Sequence, residues 1–219
     1  MEHREVSRRS FLAGMGALAL ITAFAPASAH ATTPAPTIED FLATGLSPQA
    51  GAKAAVVYFS CTGTTKGAAK RIKKATGASI TRIIPEIPYT EDDIDYTDKD
   101  SRVWEEHSSA SSPAESTVRP AIANLKAIKK AVKKADVVYI GYPIWWGEAP
   151  HIMYTLIEKL SLKGKTVVPF CTSMASGLGK SDVNLQSHAI TSKATVWKKG
   201  RNFYDIPSQK KVNAWLEKL

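Results

Sequence analysis

Five short apolar runs, each followed sooner or later by a segment of helical periodicity, constrain this chain more than any other feature. The first, Ala54-Ala55-Val56-Val57-Tyr58-Phe59, carries no charge and has the character of a strand buried on both faces of a parallel sheet. The pattern predicts a helix over 65–75 with Ala69, Ile72 and Ala75 inward, Lys66, Lys70, Arg71, Lys73 and Lys74 outward, and Gly77 as its stop. Further strands are expected at 79–84, 136–141, 166–171 and, weakly, 194–197. Helices are expected at 119–134, 150–160, 180–189 and 208–219, the first with Ile122, Leu125, Ile128 and Val132 on one stripe. Strands alternating with helices predict an α/β domain: a doubly wound, five-stranded parallel sheet with helices on both faces. Residues 85–117, rich in Pro, Asp, Ser and Tyr, form a connection of a length that is usually functional or disordered.

With 219 residues, 44% of them hydrophobic, the chain suffices for one such domain and not two. Its net charge is +9, of which residues 1–31 supply +1, three Arg against two Glu. Nine acidic residues lie between Glu86 and Glu106 against Lys99 and Arg102, so the rest of the body is more basic still. That balance suits an anionic partner, although a solvated surface explains it equally well.

The N-terminus reads as an address. Ser7-Arg8-Arg9-Ser10-Phe11-Leu12 opens an apolar, Gly- and Ala-rich run to Ala25, and Ala27-Ser28-Ala29 follows. Paired arginines, a modest apolar stretch and an A-x-A pattern predict a twin-arginine export signal over residues 1–31, cleaved after Ala29 or Ala31. The run is short of the roughly 20 residues a membrane span takes. A Thr- and Pro-rich linker over 32–51 and a domain over 52–219 follow. The expected location is the periplasm or the cell exterior.

Three loops reach the carboxyl ends of the predicted strands, where open α/β sheets bind ligands. Ser60-Cys61-Thr62-Gly63-Thr64-Thr65 sets four hydroxyl residues and a Gly between a strand and a helix start. Converging N–H groups, a helix dipole and slim donors suit a phosphate; a plain capping turn needs only one of the hydroxyls. Gly141-Tyr142-Pro143-Ile144-Trp145-Trp146-Gly147 places adjacent indoles in a loop, which a flat aromatic ligand stacking on an indole would account for; an aromatic lid over the sheet end is the other reading. In the third, 172–181, Gly179-Lys180-Ser181 resembles the end of a nucleoside-triphosphate loop, but Met174 stands where that pattern needs Gly. Gly177 and Gly179 are expected to let the backbone approach whatever the Trp loop holds.

Taken in order, these loops resemble the flavodoxin family. Ser60 to Thr65 is similar to its Ser/Thr-x-Thr-Gly-x-Thr phosphate loop. The Gly141 to Gly147 segment resembles the loop bordering the flavin ring in one flavodoxin subfamily, and Pro169 to Thr172 with Ser176-Gly177 resembles that subfamily's fourth-strand loop. The resemblance covers 53–219 and implies strand order 2-1-3-4-5 with flavin mononucleotide (FMN) held non-covalently at the reversal of winding. It implies that Ser60, Thr62, Thr64 and Thr65, with the N–H groups from Cys61 through Gly63 to Thr65, hold the FMN phosphate. Pro143, Ile144, Trp145, Trp146 and Gly147 would line the ring, joined by Thr172 and Gly177, with Tyr89 as a second aromatic. The order also sets Cys61 and Cys171 one strand apart, about 10 Å, too far for a disulfide, so both are expected as free thiols.

The resemblance implies an electron carrier with no catalytic side chain, whose redox partner is a protein or a quinone. An FMN-dependent quinone or NAD(P)H oxidoreductase is the alternative, and a non-redox phospholigand-binding module is a third reading. A monomer is expected, with no metal and no nucleic-acid partner. No Gly-x-Ser-x-Gly elbow occurs, and His107, His151 and His188 read as structural. The stripe Lys126, Lys129, Lys130, Lys133, Lys134 reads as a solvated face or a weak contact with an anionic membrane surface. This basic body departs from the acidic docking face usual in electron-transfer flavodoxins, and only 86–106 retains acidity.

Overall fold

The alternating apolar runs form a parallel sheet in the computed structural model, which describes residues 52–219. The export signal and the linker lie outside the described residues. The strands are β1 (Ala54–Tyr58), β2 (Ser79–Arg82), β3 (Val137–Pro143), β4 (Thr166–Thr172), β5 (Val196–Trp197) and β6 (Arg201–Phe203). The helices are α1 (Thr64–Thr76), α2 (Arg102–Ser108), α3 (Leu125–Lys133), α4 (His151–Lys159), α5 (Ser181–His188) and α6 (Gln209–Leu216), with a 3-10 turn at Asp92–Ile94. The order is β2-β1-β3-β4-β5, every pair parallel, and β6 also pairs with β4.

Strand alternation sorts the core into two layers. Val56, Tyr58, Tyr139, Val168 and Phe170 face α1 and α6, meeting Ala69, Ile72, Val212 and Trp215. Ala55, Val57, Phe59, Val138 and Ile140 face the other way, onto Ile128, Val132, Ile152, Met153, Leu156 and Leu185 of α3, α4 and α5. Successive side chains on a strand point to opposite faces, so a run without polar residues needs cover on both. That is the doubly wound arrangement.

Three details differ from the expectation. The helix foreseen from 119 starts at Leu125, because Ile122 forms an antiparallel bridge with Pro85 and the residue before Pro120 is steered away from helix. The fifth strand, foreseen only at 194–197, resumes as β6: Val196–Trp197 pairs with Thr166–Val167, and Arg201–Phe203 with Phe170–Thr172. Between them the Gly200 N–H turns to the Asp182 carboxylate at 3.2 Å instead of the ladder. The 85–117 connection is folded: Ser101 caps α2 by accepting from the Trp104 N–H, and its hydroxyl lies 2.7 and 2.8 Å from the Asp95 and Asp98 carbonyls.

Candidate functional site

Strand order places the reversal of winding between β1 and β3, and the loops leaving β1, β3 and β4 converge there on one cleft of about 640 Å³. One end is hydroxyl-lined. Ser60, Thr62, Thr64 and Thr65 all contribute to the wall, with Cys61. The loop is held from within: the Gly63 N–H donates to Ser60 Oγ at 3.1 Å, and Arg82 donates to the Ser60 carbonyl at 2.9 Å. Gly63 caps α1 without a side-chain hydrogen bond, and no acidic residue occupies the first turn. The first intrahelical bond here is Gly67 N–H to Gly63 carbonyl, 2.9 Å. Among the described residues the N–H groups of Thr64, Thr65 and Lys66 therefore have no acceptor. Those orphan donors and the positive end of the helix dipole favour an anion. Among the described residues no Lys, Arg or His lines the cleft.

The other end is aromatic. Trp145 and Glu148 exchange backbone hydrogen bonds of 2.9 Å in both directions, closing a tight turn whose central residues, Trp146 and Gly147, have φ of 46° and 78°. Both φ values are positive, as a type I′ turn demands. An indole residue at positive φ is strained, and such strain gathers at functional sites. Neighbours offset it: the His107 ring stacks on Trp146 at 4.3 Å and 7°, and Tyr96 and Trp104 meet its edge at 4.8 and 6.1 Å. Trp145 turns inward against Phe59 and Tyr89 at 5.8 and 5.5 Å. Pro143, Ile144, Trp145 and Trp146 line the cleft, whereas Gly147 shapes the turn.

The third loop adds Thr172, Ser173, Met174, Ala175 and Ser176 to the wall. Gly177, with φ of 65°, is not among the lining residues. Gly179, with φ of 56°, presses against the Trp loop itself, since a Cβ there would collide with the Gly147 carbonyl oxygen. Gly179 thus fits two loops together, which corrects the expectation that it makes room for a ligand.

Tyr89 is absent from the cleft wall, and Tyr96 and Ile94 stand there instead. The Tyr89 hydroxyl donates to both oxygens of Glu106 at 2.8 and 3.1 Å, and Arg102 Nε donates at 3.0 Å, so the ring is fixed behind Trp145. Burial raises the Glu106 carboxyl above its usual range, opposed by those donors. His151 Nδ1 lies 3.9 Å from Glu106, and its Nε2 is buried with no hydrogen-bond partner among the described residues. Burial, with Arg119 and His107 adding, lowers the His151 imidazole to about 4. Burial likewise lifts the Cys61 thiol to about 11 and Cys171 to about 12; both are free thiols, with β3 between their strands.

Reading the loops at the strand ends missed Ile94, Tyr96, Tyr204 and Asp205. The first two lie in a connection without periodicity. Tyr204 and Asp205 follow β6, which a three-residue strand starting at Arg201 does not announce.

A doubly wound sheet whose switch point carries a cation-free hydroxyl cradle and an aromatic wall defines a protein that holds a phosphorylated, flat-ringed ligand. The chain belongs to the flavodoxin family, whose sequence model matches residues 53–219. It is 42% identical to a protein of Bacteroides eggerthii DSM 20697, provisionally described as a flavoprotein, over 76% of this chain and 96% of that one, with a TM-score of 0.64. A similarly described protein of Bacteroides uniformis ATCC 8492 is 38% identical over 77% and 99%, with a TM-score of 0.65. A flavoprotein of Lactobacillus acidophilus NCFM in complex with FMN shares the fold at 16% identity and a TM-score of 0.50, over 75% and 98%. No curated protein matches the chain.

Proposed function

We propose that the chain is an exported, FMN-binding electron carrier. The observation that carries the reading is the cleft itself, with orphan N–H groups and four hydroxyls at one end and two indoles at the other. This donor set fits FMN: slim hydroxyls and helix N–H groups suit a phosphate dianion, and indoles suit a flat ring. The Lactobacillus flavoprotein in complex with FMN supports the same cofactor.

Ser60, Thr62, Thr64 and Thr65, with the N–H groups of Thr64 and Thr65, would hold the phosphate. Trp145, Trp146, Ile144 and Tyr96 would flank the ring and keep water from it. Bound FMN supplies the redox chemistry. Among the described residues no cation lines the cradle, although Arg82 donates to the Ser60 carbonyl of the same loop, so the phosphate charge is only partly compensated and opposes further negative charge in the cleft. No side chain is required to move a proton. Among the described residues the ionisable side chains on the wall are Cys61, Tyr96, Tyr204 and Asp205. The paired arginines and apolar run at the N-terminus support export.

The test is flavin titration of the apoprotein by fluorescence. Thr62→Ala with Thr64→Ala removes two donors to a charged group, each worth about 1.5–3 kcal/mol, and weakens FMN by about a hundredfold or more while leaving riboflavin unchanged. Equal affinity of parent and variant for FMN would refute the cradle. Reduction in two separate one-electron steps in a potentiometric titration supports the carrier. A single two-electron step with steady NAD(P)H turnover would replace it by the oxidoreductase.

A further inference from the structure

The cleft occupies the carboxyl edge of the sheet, and the opposite edge has a chemistry of its own. Two neighbouring hollows open there on either side of α3. One, about 470 Å³, is ringed by Lys129, Lys133, Lys159, Lys163 and Lys165 over Val132 and Leu160. The other, about 420 Å³, is ringed by Lys53, Lys130 and Lys134 over an alanine floor. Chain direction brings them together: Lys53 and Lys165 precede β1 and β4, while Lys133 and Lys159 end α3 and α4.

Capping of helix dipoles accounts for the cations in last turns, but not for the whole set. Helix α3 also carries Lys126 in its first turn, has no acidic residue there, and repeats like charges at 126/130, 129/133 and 130/134. Such i,i+4 pairs repel. Among the described residues none of these lysines makes an ion pair. Asp136, just before β3, accepts from the Lys53 backbone N–H at 2.9 Å and makes no ion pair with the lysines among the described residues. An external anion would relieve the repulsion.

We propose that this edge docks on an anionic phospholipid membrane surface. Two observations select a membrane over a soluble polyanion. Ile190 and Val196, both exposed, border the lysines: Ile190 bridges to Ser161, and the Val196 N–H donates to the Lys165 carbonyl. Aliphatic groups among cations gain from a headgroup layer and nothing from a polymer in water. Among the described residues neither hollow is lined by an aromatic residue or an Arg, which leaves nucleic-acid bases nothing there to stack on. The seven residues of β4 set the docking edge about 20 Å from the cleft and leave the cleft facing away from the bilayer. A membrane-docked chain therefore stays open to a partner in solution.

The experiment is co-sedimentation of the flavin-loaded protein with vesicles of phosphatidylcholine alone or mixed with phosphatidylglycerol. The expected result is binding to the mixed vesicles only, fading as salt shortens the Debye length from about 30 Å at 0.01 M to about 8 Å at 0.15 M. Lys129→Gln/Lys133→Gln/Lys163→Gln weakens it about a hundredfold, at about fivefold for each surface lysine. The control Lys210→Gln/Lys211→Gln, on exposed positions of α6, binds as the parent does. Far-ultraviolet dichroism and flavin absorbance of each variant report folding and the cleft separately. Parent and triple variant sedimenting alike, no binding at low salt, or inorganic polyphosphate bound as tightly as the vesicles would each overturn the proposal.

Discussion

The hydroxyls of Thr65, in the first turn of α1, and Thr172, at the end of β4, lie 2.7 Å apart and are both buried. This bond ties the loop after β1 to the loop after β4 across the floor of the cleft. Thr65→Val leaves the Thr172 hydroxyl buried without this partner, a loss of about 1–3 kcal/mol. Urea unfolding of the parent, the two single Val variants and the double variant checks it. The double variant is expected to recover part of the loss, since neither hydroxyl is then stranded.

The contact between the second and third loops predicts an order of glycine sensitivities. Gly147→Ala meets open space but keeps φ at 78°, so it costs about 1–2 kcal/mol. Gly179→Ala adds a collision with the Gly147 carbonyl, and overpacking brings the loss to about 3 kcal/mol. Thermal unfolding ranks the two, and flavin affinity falls further in Gly179→Ala because the Trp turn must move.

Acid should weaken the fold through His151. In the unfolded chain its imidazole titrates near 6.5, whereas in the folded chain it titrates at about 4. Between those values the unfolded state takes up a proton that the folded state refuses, so stability falls as pH drops. From pH 6.5 to 4.5 the loss is about 2 kcal/mol. Glu106, raised by burial, acts in the opposite sense, because its folded form gains a proton first. Urea unfolding at both pH values is expected to show a smaller acid loss in His151→Leu than in the parent.

The two thiols should be slow to react. With Cys61 raised to about 11, roughly one thiol in a thousand is ionised at pH 8, and Cys171, at about 12 and buried, has still fewer. Disulfide-exchange labelling of the apoprotein is expected to modify Cys61 slowly and Cys171 only on unfolding. Cys61 lines the cleft, so added FMN should protect it further.

Much of this was legible in the chain. Runs such as Ala54 to Phe59 cannot be solvated on either face, so burial between two helical layers follows from composition alone. The hydroxyl-rich turn with Gly63, and the paired indoles, identify two of the three loops before any contact is known. The third loop was recognisable only in part: Thr172 lies on the cleft wall, and Gly177 is not among the residues that line it.

Local sequence determined the strand–helix alternation, the phosphate-type turn and the ends of most helices, because period, capping and turn chemistry act over a few residues. Tertiary structure alone decided that Tyr96 rather than Tyr89 lines the cleft, since Glu106 and Arg102 fix Tyr89 from a helix more than ten residues away. It also decided that a three-residue strand at Arg201–Phe203 extends the edge, and that lysines from separate segments share one face. These outcomes depend on pairings between distant segments, for which no short-range signal exists.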